Sequence, residues 1–286
     1  FSIFRPEEQN LKLDEGARKW KDSIGSEKRR KKLELPSFLR PYQREGVDWM
    51  DRILDLGCHV LLADEMGLGK TLQVLSLLHA KPVKNKPALV VCPASVVPVW
   101  QGEVERFFPA TTVQVLKSGN DFSSVPKRPA IWLSSYTQLR RHKHLLKKTD
   151  FGHVVLDEAQ HIKNPEAKVT QACFSIQSRY RLILTGTPVE NTPLDLWTLF
   201  RFLMPGLLGG RKAFEEGLSA GENAFLETLR AQIEPFTLRR TKQQVAQELP
   251  EKVEAVVKCP LSESQRAEYS RIIQQGVQEL GDNVQD

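Results

Sequence analysis

Between residues 39 and 188 the chain alternates short apolar runs with longer amphipathic stretches. The runs are Val60–Ala63, Leu89–Cys92, Ile131–Ser134, Val154–Asp157 and Leu182–Thr185, with a weaker sixth at Val113–Leu116. They are rich in Val, Ile and Leu and do not alternate strictly with polar residues, which is the pattern of strands covered on both faces. The stretches Gln43–Leu54, Lys70–Ala80, Val96–Phe107 and Ala167–Ile176 have helical length and one apolar side. Strand alternating with helix predicts an α/β fold whose mainly parallel sheet is flanked by helices on both faces. Ligands of such sheets gather beyond the carboxyl ends of the strands.

After Pro188 the apolar runs stop, and no further strand is expected. Asp195–Leu203, Ala224–Ile233 and Ser262–Val277 read as helices, punctuated by Pro205-Gly206, Gly209-Gly210 and Pro235. Residues 1–35 are polar and carry the basic cluster Lys28-Arg29-Arg30-Lys31-Lys32, which fits a solvated face. The expected division is a charged linker or end of an upstream element (1–35), an α/β lobe (36–190) and a C-terminal helical appendage (191–286).

Composition narrows the classes. Hydrophobic residues make up 40% and charged residues 27%, as in a soluble globular protein with a sizeable core. No apolar run approaches the roughly 20 residues that span a bilayer, and the first 40 residues hold no apolar segment of a secretory leader. No membrane partner is therefore expected. The cysteines at 58, 92, 173 and 259 show no C-x-x-C spacing, so neither a zinc site nor a disulfide framework is indicated, and a reducing compartment fits. The formal charge of +6 is compatible with a polyanionic partner.

Chemistry enters at the end of the first run. Val60–Ala63 leads into Asp64-Glu65-Met66-Gly67-Leu68-Gly69-Lys70-Thr71 and then a helix. A Gly-rich loop there lets backbone N–H groups curl around phosphates. Lys70 then reaches the β- and γ-phosphates of a nucleotide, and the Thr71 hydroxyl ligates Mg²⁺. Asp64 stands where a full phosphate loop has its first glycine. Asp64, Met66, Gly67, Leu68, Gly69, Lys70 and Thr71 are thus the candidate cofactor-binding set.

A second motif, His153 to Gln160, puts Asp157 and Glu158 at a strand's carboxyl end. Two carboxylates there need a compensating cation or hydrogen bonds. Mg²⁺ on Asp157 supplies the cation, leaving Glu158 to orient and deprotonate a water. Lys70, Asp157 and Glu158 are the catalytic candidates. A third motif, Leu182 to Pro188, ends another run with Thr185, Gly186 and Thr187 within reach of the acidic box. Spacing alone does not separate a coupling role from a tight turn.

These motifs, with Leu39–Met50, Val91–Ser95 through Trp100, Ser134-Ser135-Tyr136, His161–Pro165, Glu190-Asn191 and Phe236–Lys242, resemble SWI/SNF-type ATPases of helicase superfamily 2. The resemblance covers roughly residues 36–260 in the family's order. It implies a RecA-like lobe and ATP-driven translocation on double-stranded DNA or nucleoprotein. It also implies that Gln43 reads adenine, and that Pro93, Ala94, Ser95, Ser135, Tyr136, Lys163 and Asn164 lie along the DNA backbone. Gln160, where many relatives carry His, couples the box to Thr185, Gly186 and Thr187, and looks more like prokaryotic members. Arg239 and Arg240 fall in a family motif that leaves DNA contact and internal ion pairing open.

The family's second RecA-like lobe, with its arginine finger motif, has no counterpart in residues 189–286. It is the expected partner of this lobe from the same chain. The competing readings are another P-loop ATPase such as an AAA+ protein, or a non-catalytic DNA-binding scaffold. Intact Lys70, Thr71, Asp157 and Glu158 oppose the scaffold. Asn85-Lys86-Pro87-Ala88 lacks the Asp of a guanine reader, which opposes a GTPase. The expected location is the cytoplasm or nucleoid for a prokaryotic protein and the nucleus for a eukaryotic one.

Overall fold

A computed structural model describes residues 32–117, 130–142, 146, 148–187, 193–220, 223–245 and 259–280. The basic residues 28–31 and the Glu190-Asn191 pair lie outside them. Seven parallel strands form one sheet in the order β3-β4-β2-β5-β6-β1-β7. They are β1 (Val60–Leu62), β2 (Ala88–Cys92), β3 (Thr112–Val115), β4 (Ala130–Ser135), β5 (Asp150–Asp157), β6 (Gln177–Leu184) and β7 (Thr237–Leu238). The interleaved helices are α1 (Pro41–Asp55), α2 (Lys70–Ala80), α3 (Val97–Phe107), α4 (Tyr136–Arg141) and α5 (Lys168–Phe174). Then follow α6 (Pro193–Leu203), α7 (Arg211–Ser219), α8 (Asn223–Ile233) and the single-turn α9 (Lys242–Val245).

The unbroken apolar runs are explained by two cores. Successive side chains of a strand point to opposite faces. Leu61, Leu89, Trp132, Val154 and Ile183 therefore enter one core. Their neighbours Val60, Leu62, Val90, Leu133, Val155 and Leu182 enter the other. The second core is closed by Val47, Met50 and Leu54 of α1, Leu75 of α2 and Trp100 of α3. The first is closed by Cys173 of α5 and by Leu199, Phe200 and Phe202 of α6.

The helices that follow the sheet pack onto it, and α6 forms the roof of the first core. One expectation about the C-terminal part changes, because the strands do not stop at Pro188. Chain 237–238 returns as β7 and pairs in parallel with β1, with Leu61 opposite Thr237 and Leu62 opposite Leu238. The compact unit extends to Gln247. Residues 248–286 form a second unit, whose described helix α10 (Glu263–Leu280) exposes Tyr269, Ile272, Ile273 and Val277. Among the described residues, no helix is long and apolar enough to cross a membrane.

Candidate functional site

The carboxyl ends of β5, β6, β1 and β7 are neighbours in the sheet, so the phosphate loop, the acidic box and the Thr185 turn converge on one edge. Between β1 and α2 the loop turns through Gly67 at φ 89° and Gly69 at φ 72°, a region that residues with a Cβ rarely adopt. Gly69 has a second reason to be glycine, since a Cβ there would lie 2.5 Å from Gln43 Nε2. Gly69 also begins α2 without any side-chain cap on its first-turn amides. Such an N-terminus offers N–H donors to an anion.

Lys70 Nζ donates to the carbonyl of Asp64 at 2.7 Å, closing the loop across its base. Burial pushes the Lys70 ammonium below its usual pKa, while the charges of Glu158, Asp64 and Asp157 oppose that shift. The ammonium thus feels both the loop and the acidic box. The carbonyl of Leu68 accepts from the Tyr42 hydroxyl (3.2 Å), Gln43 Nε2 (3.3 Å) and Gln73 Nε2 (3.3 Å), which ties α1 and α2 to the loop. Gln43 Oε1 accepts from the Arg40 N–H at 3.0 Å. Gln43 is buried and thus holds the start of α1 against the loop. Met66 is exposed at the loop's tip.

Asp64 departs from its expected role. Its side chain is sealed from solvent and is taken by Arg240 (Nε to Oδ1, 3.0 Å) and Gln73 (Nε2 to Oδ2, 3.2 Å). What Asp64 gives the site is its carbonyl, on Lys70. Arg240 is thereby an internal ion-pair partner. Arg239 is exposed and donates to the Gly186 carbonyl at 3.2 Å.

At the end of β5, Asp157 is buried and held on every side. Trp100 Nε1 donates to Oδ2 at 2.8 Å, and the Glu158 N–H donates to Oδ1 at 3.0 Å. Burial raises its pKa, opposed first by the Trp100 hydrogen bond. Glu158 takes a left-handed backbone, φ 48°, rare for a residue with a Cβ. Its Oε2 accepts from Gln160 Nε2 at 3.0 Å, Gln160 Oε1 accepts from Thr185 Oγ1 at 3.4 Å, and Thr185 Oγ1 accepts from the Thr187 N–H at 3.1 Å. Gln160, Thr185, Gly186 and Thr187 therefore lie together, and Gln160 bridges Glu158 to Thr185.

The donor set fits a hard divalent cation. The Thr71 hydroxyl and the Asp157 carboxylate offer hard oxygen donors, and Mg²⁺ usually takes one or two protein oxygens, with waters and phosphates completing the shell. No cluster of three or more His, Cys, Asp or Glu suited to a metal occurs among the described residues, so a dedicated all-protein cage is not part of the described site.

The residues expected along DNA divide. Ser95 follows β2, Ser135 ends β4, and Lys163 with Asn164 follows β5, three adjacent strands of the same edge. Ala94, Ser95 and Asn164 are exposed, while Pro93, Ser135 and Lys163 are half-buried. The Ser135 hydroxyl caps α4 by accepting from the Gln138 N–H at 3.2 Å, and Asn164 Oδ1 accepts from the Glu166 N–H at 2.9 Å. Tyr136 is a correction. It is 7% exposed, its hydroxyl donates to the Asp157 carbonyl at 2.8 Å, and its ring stacks on His161. It supports the acidic box from inside and offers no face to a polyanion. Sequence reasoning missed Trp100, Gln73 and Gly46. Their only signals were a tryptophan inside a family motif, a glutamine on an apolar helix face and a glycine within a helix.

The chain is similar to several known proteins. The chain is 39% identical over 257 residues to the Zorya protein ZorD of Escherichia coli, covering 76% of this chain and 24% of that protein. It is 38% identical to an uncharacterized ATP-dependent helicase of Mycoplasma genitalium, covering 85% of this chain and 24% of that protein. The Sulfolobus solfataricus SWI2/SNF2 ATPase core, solved in complex with dsDNA, superposes with a TM-score of 0.70 at 38% identity, covering 86% of this chain and 54% of that one. The chain thus spans about a quarter of the length of these curated relatives and about half of the solved core. The family model of the SNF2-related domain matches residues 42–285, and the chain belongs to that family.

Proposed function

We propose that this chain is the ATP-binding lobe of a DNA-dependent ATPase that moves along double-stranded DNA. The observation that carries this reading is the convergence on Lys70 of the loop that donates to phosphates and the acidic box of Asp157 and Glu158. Gly67, Gly69 and the first turn of α2 bind the phosphates, and Lys70 exchanges the Asp64 carbonyl for phosphate oxygens. Thr71 and Asp157 would hold a Mg²⁺ ion, whose charge would offset that of the phosphate oxygens. Glu158 orients the attacking water and accepts its proton. Gln160, Thr185 and Thr187 report the state of Glu158 to the end of β6. Gln43, bonded to the Leu68 carbonyl of the loop, reads adenine.

The edge formed by Ser95, Ser135, Lys163 and Asn164 supports a DNA track, because the similar Sulfolobus core was solved with dsDNA. Contacts of this kind go to the phosphate backbone and carry little sequence information. The remaining transition-state charge requires arginines from a second lobe, and an arginine finger is worth about 10³–10⁵ in rate. The test compares ATPase rates of residues 1–286 and of the protein extended through a second lobe, each with and without duplex DNA. The extended protein is expected to show DNA-stimulated turnover and the lobe alone very little. Full DNA-stimulated turnover by the lobe alone would overturn the two-lobe reading.

A further inference from the structure

The structure assigns Arg240, 176 residues beyond Asp64, as a positioning residue of the phosphate loop. Its guanidinium reaches three elements at once. Nε donates to Asp64 Oδ1 at 3.0 Å, Nη2 to Asp64 Oδ2 at 2.5 Å and to Gln73 Oε1 at 2.8 Å, and Nη1 to the Tyr42 carbonyl. The Arg240 N–H adds a further bond to Asp64 Oδ1 at 3.1 Å. With Gln73 Nε2, the Asp64 carboxylate accepts four donors while its side chain is 0% exposed and that of Arg240 12%. A buried ion pair offsets its desolvation only when every oxygen and N–H is matched in this way. The planar fork of arginine meets that demand and a lysine ammonium does not.

A second observation places α1 against this contact. A Cβ on Gly46 would lie 2.2 Å from Gln73 Oε1 and 2.8 Å from Arg240 Nη2. A side chain at 46 would therefore push the Gln73 amide or the Arg240 fork out of its present position. The chain on either side of Arg240 is fastened to the loop as well. Ala63 N–H donates to the Leu238 carbonyl at 2.7 Å, Glu65 N–H to the Arg240 carbonyl at 2.9 Å, and Lys242 N–H to Glu65 Oε2 at 2.7 Å. Residues 63–65, which lead into the turn at Gly67, are thus templated by residues 238–242. Breaking the Arg240 fork leaves a buried carboxylate unmatched three residues before that turn. Arg240 acts on the loop through Asp64 and Gln73.

The kinetic consequence rests on the ATP reading above, whereas the structural one does not, and the experiment uses both readouts on the full-length protein. Arg240→Lys keeps the charge and gives up the fork. Gly46→Ala leaves every charge in place and crowds the fork. For both, hydrogen exchange of amides 65–71 is measured without nucleotide, beside the ATP KM and kcat. The expected result is exchange about tenfold faster in the loop, with β2, β4 and β5 as protected as in the parent, and an ATP KM raised about tenfold with a smaller change in kcat. Parent-like loop exchange would overturn the assignment. So would acceleration spread evenly through β2, β4 and β5, because Arg240 would then serve the whole fold and not the loop. If the parent itself fails to hydrolyse ATP, the ATP reading fails, and loop exchange alone still decides the role of Arg240.

Discussion

The indole of Trp100 donates a 2.8 Å hydrogen bond to Oδ2 of Asp157, joining a fully buried side chain of α3 to the acidic box on β5. Asp157 is thereby left with a fixed rotamer before any cation arrives. Metal-binding carboxylates held by such partners lose affinity when the partner is removed. Trp100→Phe keeps an aromatic ring and deletes the donor. The expected cost is about 1.5–3 kcal/mol of stability, the range for a hydrogen bond to a charged group, read from urea unfolding. The Mg²⁺ concentration giving half-maximal ATPase is expected to rise by about tenfold or more. An unchanged Mg²⁺ dependence in a folded variant would show that Asp157 is positioned without Trp100.

Tyr136 provides a test of the DNA edge. Because its hydroxyl is bound to the Asp157 carbonyl inside the unit, Tyr136→Phe is expected to lower stability by about 1–2 kcal/mol. Its affinity for duplex DNA should stay within about twofold of the parent across a salt titration, since it removes no phosphate contact and leaves the counterion-release slope unchanged. A fall in the salt slope would return Tyr136 to the DNA surface.

Much of this arrangement was legible in the residues, for a physical reason. Strands buried on both faces must be apolar at every position, so the runs ending at Ala63, Cys92, Ser134, Asp157 and Thr185 marked the strand ends that carry the site. The amino-terminal half of β6, Gln177 to Arg181, was invisible because it is mostly exposed or half-buried and reads as polar. β7 was missed because two residues carry no periodicity. Its place comes from hydrogen bonds to β1 made across the whole lobe. Asp64 was read by its position in the loop, and its partner Arg240 is a tertiary fact that no local spacing encodes. Tyr136 was read by its motif, and burial decided otherwise.

Two histidines set an acid limit. Burial holds His153 down to about 3 from an ordinary 6.5, helped by the charges of Lys81 and Arg179. Burial and the charge of Arg181 hold His59 down to about 4, where its Nδ1 accepts the Arg181 N–H at 3.3 Å. Both are neutral when folded, so below about pH 6.5 the unfolded chain binds protons that the folded chain does not. Stability therefore falls as pH drops from about 6.5, down to about 4 for His59 and about 3 for His153, by about 1.4 kcal/mol per pH unit for each proton. His153→Phe is expected to make this limb shallower by close to one proton's slope between pH 6 and 4, in urea unfolding at several pH values. Equal slopes would show that His153 is not the titrating group.

Glu158 stands at the centre of the reading, in a left-handed turn, beside Asp157 and hydrogen-bonded to Gln160. Glu158→Gln keeps its shape and polar contacts but cannot take a proton from water. The most direct measurement is single-turnover hydrolysis of ATP by the two-lobe protein carrying this substitution, at saturating Mg²⁺ and duplex DNA, beside equilibrium ATP binding. ATP affinity within a few-fold of the parent, together with hydrolysis slowed by at least about 10²-fold, is the expected result. Hydrolysis at the parent rate would contradict the assignment of this edge of the sheet as the site of the reaction.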